Sequence, residues 1–154
     1  MLDTYFARLI PLMRELGGDV HQLIGDAVMV VFNKYGHQPD HPRLAARAAL
    51  AFQEAAAEIA AEHPDWPRFR VGVNSGEIAA GIVGDRGHRK HDVIGDTVNL
   101  AARLESHAPV GGVLIGDGTR AALPDEAIVE DLPPLEVKGK AEPVNAYLLR
   151  YLPA

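Results

Sequence analysis

Cysteine is absent from the 154 residues. This removes disulfide frameworks and thiolate chemistry and fits a reducing, cytoplasmic setting. Positive charge is scarce, since 15 Lys and Arg face 21 Asp and Glu for a formal net charge of -6. A partner held through a phosphate backbone needs many cations on one surface, so nucleic acid is not expected. A small anion held by a few placed cations and a metal ion stays open. Long apolar runs are also missing. The opening MLDTYFARLIPLMREL threads charges among its apolar residues, which argues against a signal peptide or membrane span. The glycines of GVNSGEIAAGIVG lack the GK-Ser/Thr step of a phosphate-binding P-loop. His37 and His41 are four apart, but Pro39 between them spoils a helical metal pair, so neither is assigned to zinc.

What is present is ordinary globular composition, 47 % apolar and 23 % charged. The length suits one core better than two, so we read residues 1–154 as a single domain. Leu2, Tyr5, Phe6, Leu9, Met13 and Leu16 recur at helical spacing, with Pro11 expected to kink or stop the helix. VHQLI and AVMVVF, separated by Gly25 and Asp26, predict a tight hairpin. A helix is predicted over 43–62, with Leu44, Ala48, Phe52, Ala55 and Ile59 as its stripe. Strands follow at RFRVGVNSG, EIAAGIVG and HDVI, then a helix from about Thr97 to His107 capped by Asp96 or Thr97. A strand at GVLIG, a short helix near TRAAL and strands at IVEDL and VNAYLLRYL complete the chain. Such irregular alternation predicts an α+β, ferredoxin-like fold, a mixed sheet with helices packed on one face.

Several residues could carry chemistry. Asp26, at a hairpin tip, could bind a hard cation such as magnesium, although a Gly-Asp pair also simply makes a turn. Asn99 and Arg103, four apart, share one helix face and offer an amide and a planar cationic fork suited to phosphate. A solvated helix edge presents the same pair, and spacing does not separate the two readings. Lys138, in VKGK, could close a loop over an anion or sit in a surface turn. Arg86, His88, Arg89, Lys90 and His91 form a basic loop suited to solvent or partner contact.

In order, GGDVHQLIGDAVMVVF, DHPRLAARAALAFQ, VGVNSGEIAAGIVG, DVIGDTVNLAARLES and VKGKAEPVNAYLL resemble successive blocks of the class III nucleotide cyclase catalytic domain. The resemblance implies that family's ferredoxin-like core and a homodimer whose active sites are shared between subunits. It implies that Asp26 is one of two aspartates holding Mg2+ or Mn2+, that Asn99 positions the ribose, and that Arg103 offsets charge on the α-phosphate. Lys138 would hold the outer phosphates. Two further positions read the purine, usually Lys and Asp in adenylyl cyclases and Glu and a small residue in guanylyl cyclases. Here they are Gln22 and Asp92. Asp92 can accept from the adenine amino group and would repel the guanine carbonyl, whereas Gln22 discriminates poorly, so ATP is expected over GTP.

The resemblance also implies departures. The family domain normally opens with a strand of the type FADIRGFT that supplies the other metal aspartate, and this sequence starts downstream of it. Asp3, on a predicted helix, does not take that role. The expectation is therefore a cyclase domain lacking its first strand, with exposed strand edges to cover and weakened metal binding. Together with Gln22, this keeps a second expectation open, a catalytically inactive cyclase homology domain acting as a dimerising or regulatory module.

Overall fold

The structure is a computed structural model. It describes residues 1–22, 26–76, 95–136 and 142–153, with Gln22 as backbone only. Helix α1 spans Leu2–Glu15 and buries Tyr5, Leu9 and Met13. It runs through Pro11 instead of stopping there, and Pro11 lies on the exposed side. The burial of its opposite face outweighs one lost backbone hydrogen bond. Strands β1 (Asp19–Gln22) and β2 (Val28–Val31) then pair antiparallel, from Asp19 with Val31 to Gln22 with Val28. The described register ends with Gln22 opposite Val28, and Gly25 of the expected Gly25–Asp26 turn lies outside the described residues.

Helix α2 spans His41–Glu62 with Pro42 in its first turn, where a missing N–H costs nothing. Its face is built mostly of alanine, and it is shared between two cores. Ala46 and Ala49 pack with Val73, Val113, Ile115, Leu123, Leu149 and Leu152. Further along, Ala55, Ala56 and Ile59 pack against Tyr5 and Leu9 of α1. Tyr5 donates to the Pro67 carbonyl at 2.7 Å and meets Phe69 edge-on, ring centroids 4.9 Å apart.

Strands β3 (Val71–Val73), β4 (Val113–Ile115), β5 (Ile128–Asp131) and β6 (Tyr147–Tyr151) form a second sheet in the order β3-β4-β6-β5. Between β3 and β4, which run parallel, the chain passes through α3 (Asp96–His107). The other two pairings are antiparallel. A five-residue helix, α4 (Asp117–Ala121), follows β4.

The mixed sheet and the α+β class agree with the sequence reading, but the layering differs in one respect. A helix covers each face of the four-stranded sheet, not one face alone. Val113 and Ile115 point to α2, while Leu114 joins Leu104 and Ala108 at the α3 end in a separate cluster. All three residues of β4 are buried. Three consecutive apolar residues are the mark of a strand covered on both sides.

Candidate active site

Helix α3 carries the two residues singled out at helical spacing. It starts at Asp96, one residue before the expected start at Thr97, so that Asp96 and Thr97 lie inside the helix and neither is its cap. Gly95 stands at the N-cap with φ +110°, a conformation that excludes side chains, and makes no side-chain capping bond. The Asn99 N–H donates to the Gly95 carbonyl at 3.0 Å, and Asp96 places a carboxylate in the first turn, where the helix dipole favours it. Leu104 is fully buried toward the sheet. Asn99 and Arg103 lie exposed on the same helix. At the other end the Arg103 carbonyl accepts from Ser106 Oγ at 2.9 Å and lies 2.9 Å from His107 Nδ1.

The strand beneath explains why α3 lies where it does. A Cβ added at Gly72 would come within 2.3 Å of the Ala101 carbonyl oxygen and 2.4 Å of the Glu105 nitrogen. The helix backbone therefore rests directly on β3, an approach that only glycine permits. Two residues on, Asn74 Nδ2 donates to the Thr97 carbonyl at 3.1 Å, in the first turn of α3. Ser75 Oγ pairs with Thr119 Oγ1, fully buried in α4, at 2.8 Å. The segment VGVNSG was expected to be a strand and its turn; it also clamps α3 to α4. Nothing in the sequence periodicity marks Asn74. A glycine between two valines, Gly72, was the available sign of a close backbone approach.

Gln53 was likewise missed. Its buried Nε2 donates to the carbonyls of Phe69 and Gly112, each at 2.9 Å, tying α2 to the starts of β3 and β4. A lone glutamine within an alanine-rich stripe was the signal, since a buried amide must find partners.

The structure places Asp26 exposed in the connection between β1 and β2, and the Gln22 backbone at the end of β1 opposite Val28. These two belong to the two-stranded sheet, whereas Asn99 and Arg103 belong to a helix on the four-stranded one. Asp92, Lys138 and the basic loop from Arg86 to His91 lie outside the described residues, as do the strands expected at EIAAGIVG and HDVI. On either side of Lys138, Leu135 and Val144 exchange two backbone hydrogen bonds of 2.7 Å. Nearby, Asp117 accepts from the Tyr147 hydroxyl at 2.6 Å, and this bond holds the phenol above its ordinary pKa.

No group of three or more His, Asp or Glu among the described residues could hold a metal ion. Asp26 provides one exposed carboxylate. That is the right donor chemistry for a magnesium ion that keeps waters and takes its remaining ligands from substrate phosphates, but it is not a cage. No helix among the described residues is long and apolar enough to cross a membrane.

The base of the Asp26 hairpin carries an ion pair. Lys34 Nζ donates to Asp19 Oδ2 at 2.9 Å, and His21 Nε2 lies 2.7 Å from the same oxygen. The Lys34 hydrogen bond holds Asp19 below its ordinary 3.8, and Asp19 in turn holds Lys34 above 10.5. A depressed carboxylate stabilises the fold above its unfolded pKa and loses that contribution as pH falls through its native value. A raised lysine loses its contribution as pH rises through its native value. Lys34→Met should therefore lower stability between about pH 4 and pH 10 and leave it unchanged in strong acid. With the pair partly exposed, the loss at pH 7 should be no more than about 1 kcal/mol. Urea midpoints at pH 7 and pH 2.5 check this, and an equal loss at both would contradict it.

Comparison with known proteins bears on the chemistry. The sequence profile of the adenylate and guanylate cyclase catalytic domain matches residues 1–151. The chain belongs to that family. An adenylate cyclase of Mycobacterium tuberculosis is 32 % identical over 148 residues, covering 96 % of this chain and 33 % of the relative. The rat guanylate cyclase soluble subunit beta-2 is 34 % identical over 140 residues, covering 88 % of this chain and 20 % of the relative. The chain thus spans a third or less of these relatives. Among solved structures, the guanylyl cyclase Cya2 superposes with a TM-score of 0.83 at 26 % identity, covering 99 % of this chain and 79 % of that one. The relatives are named for both cyclase activities, so membership of the cyclase family does not choose between ATP and GTP.

Proposed function

We propose that this cyclase domain converts ATP to 3′,5′-cyclic AMP and pyrophosphate, in the cytoplasm, as a homodimer with shared active sites. The observation that carries the proposal is the exposure of Asn99 and Arg103 together on α3, a helix seated backbone to backbone on the sheet. In the reaction the ribose 3′ hydroxyl gives up its proton to water, its oxygen attacks the α-phosphorus, the bond from phosphorus to the bridging oxygen breaks, and pyrophosphate leaves. Asn99 would hold the ribose so that its 3′ oxygen faces the phosphorus. Arg103 would meet the charge that grows on the α-phosphate with a fixed cation whose donors match phosphate oxygens. Lys138 would hold the outer phosphates as a point charge. Asp92 would accept from the adenine amino group, with Gln22 beside it. Asp26 would contribute a carboxylate oxygen to bound Mg2+ or Mn2+, which when present lowers the pKa of the hydroxyl and offsets phosphate charge.

ATP is favoured over GTP by Asp92, whose acceptor oxygens suit an amino group and repel a carbonyl. The test is direct. Purified protein, both as this chain and with the sequence encoded in frame upstream of Met1, is given ATP or GTP with manganese. Cyclic AMP and pyrophosphate in equal amounts are expected, with GTP turned over more slowly. If neither form produces a cyclic nucleotide, the enzymatic reading fails. Gln22, where adenylyl cyclases usually have Lys, favours a second reading, a dimerising or regulatory cyclase homology module. That reading expects a dimer by sedimentation without turnover.

A further inference from the structure

We infer that Asn74 is the positioning residue for the Asn99 and Arg103 pair, acting on them through the first turn of α3. The inference rests on the proposed roles of those two residues and adds a residue outside them. Gly72 sets the distance between helix and sheet and Leu104 packs on the sheet further along α3, but packing contacts of this kind do not by themselves fix how the first turn is rotated. A directional bond removes that freedom. Asn74 Nδ2 supplies it by donating to the Thr97 carbonyl at 3.1 Å. Thr97 is two residues before Asn99 and six before Arg103. At about 100° per residue, both side chains emerge roughly opposite the anchored side. This agrees with the exposure of both and the partial burial of Thr97. A rotation at Thr97 is therefore passed directly to both functional groups.

The anchor is itself held. Asn74 follows the last residue of β3, and its neighbour Ser75 is fixed by the 2.8 Å bond to buried Thr119. The Asn74 amide oxygen lies against Gly116, 2.6 Å from where a Cβ would stand. Gly116 has an ordinary extended backbone, φ -94° and ψ -179°, which alanine also adopts. Gly116→Ala would thus displace the Asn74 amide without straining its own backbone, and the other atoms near the added Cβ are at ordinary contact distance.

Four variants test this in the full chain. Asn74→Asp is isosteric but has no donor; Gly116→Ala pushes the donor aside; Asn74→His keeps an N–H near the original position; Arg103→Ala supplies the background. The first two should lower kcat about tenfold to a hundredfold, with KM changed less than about threefold, since a small misplacement of a transition-state group costs that much. Asn74→His should recover most of the rate. In the Arg103→Ala background, Asn74→Asp should add less than about a threefold further loss, because groups acting as a unit are not additive. Equal fold losses in both backgrounds would overturn the inference in favour of general destabilisation.

A second readout does not depend on turnover. In Asn74→Asp and Gly116→Ala, hydrogen exchange at the Asn99 amide should quicken about tenfold, a local opening confined to one turn. The amides of Val71 and Gly111, which bond to Gly112 and Phe69, should keep their protection. Unchanged exchange at Asn99, or equal acceleration at all three, would overturn the inference even if the wild-type chain makes no cyclic nucleotide. The absence of product from wild type would instead count against the proposed activity alone.

Discussion

Arg103→Ala should reduce the rate of cyclic nucleotide formation by about a hundredfold while leaving the protein folded. The figure follows from the worth of one preorganised charge at a developing anion, about 3 kcal/mol. The expectation of intact folding follows from position. The Arg103 side chain is exposed on α3, the buried contact of that turn is made by Leu104, and surface substitutions of this kind usually change stability by less than about 0.5 kcal/mol. Arg103→Lys should fall between wild type and alanine, since it keeps the charge and loses the fork. Steady-state rates with ATP and manganese, set beside thermal melts, check both halves. An alanine variant with wild-type kcat would remove Arg103 from the mechanism.

Gly72→Ala should be the most damaging small substitution in the four-stranded sheet. The added methyl would stand 2.3 Å from the Ala101 carbonyl oxygen and 2.9 Å from the Glu105 Cα. These are backbone atoms that cannot rotate away, so α3 must lift or β3 must shift. Overpacking of this sort costs about 1–3 kcal/mol. At this chain length each kcal/mol lowers Tm by roughly 2–4 °C. The rate should fall by more than the loss of folded protein explains, because lifting α3 carries Asn99 and Arg103 with it. Calorimetry and the rate per folded molecule separate the two effects. An unchanged Tm would mean that the seat is looser than the geometry requires.

Much of this arrangement was legible in the residues. Helical spacing located α1 and α2, because each buries one face and exposes the other, and a capping signal located α3. Collinear motifs led to the family, and α3 presents Asn99 and Arg103 as their spacing required. Other features were hidden because they depend on partners distant in the chain. Pro11 looked like a kink or a stop, and only the packing of Tyr5 and Leu9 on α2 shows why the helix continues. VLI could not reveal two covered faces until α2 and α3 were known to flank it. Asn74 and Gln53 act through backbone carbonyls 23 and up to 59 positions away, and no local pattern reports such bonds.

The two-stranded sheet bearing Asp26 and the four-stranded sheet beneath Arg103 share no hydrogen-bonded ladder among the described residues. Helix α2 joins the core of the four-stranded sheet, through Ala46 and Ala49, to the core it shares with α1, through Ala55, Ala56 and Ile59, and α1 in turn leads into β1. Helix α2 thus serves as a keyed shaft between two bodies. The two keys are about ten residues, or roughly 15 Å, apart. Adding or deleting one residue between them would turn one body by about 100° relative to the other. Single-residue length changes in the Leu50–Glu54 stretch should therefore be far less tolerated than substitution of its exposed Glu54.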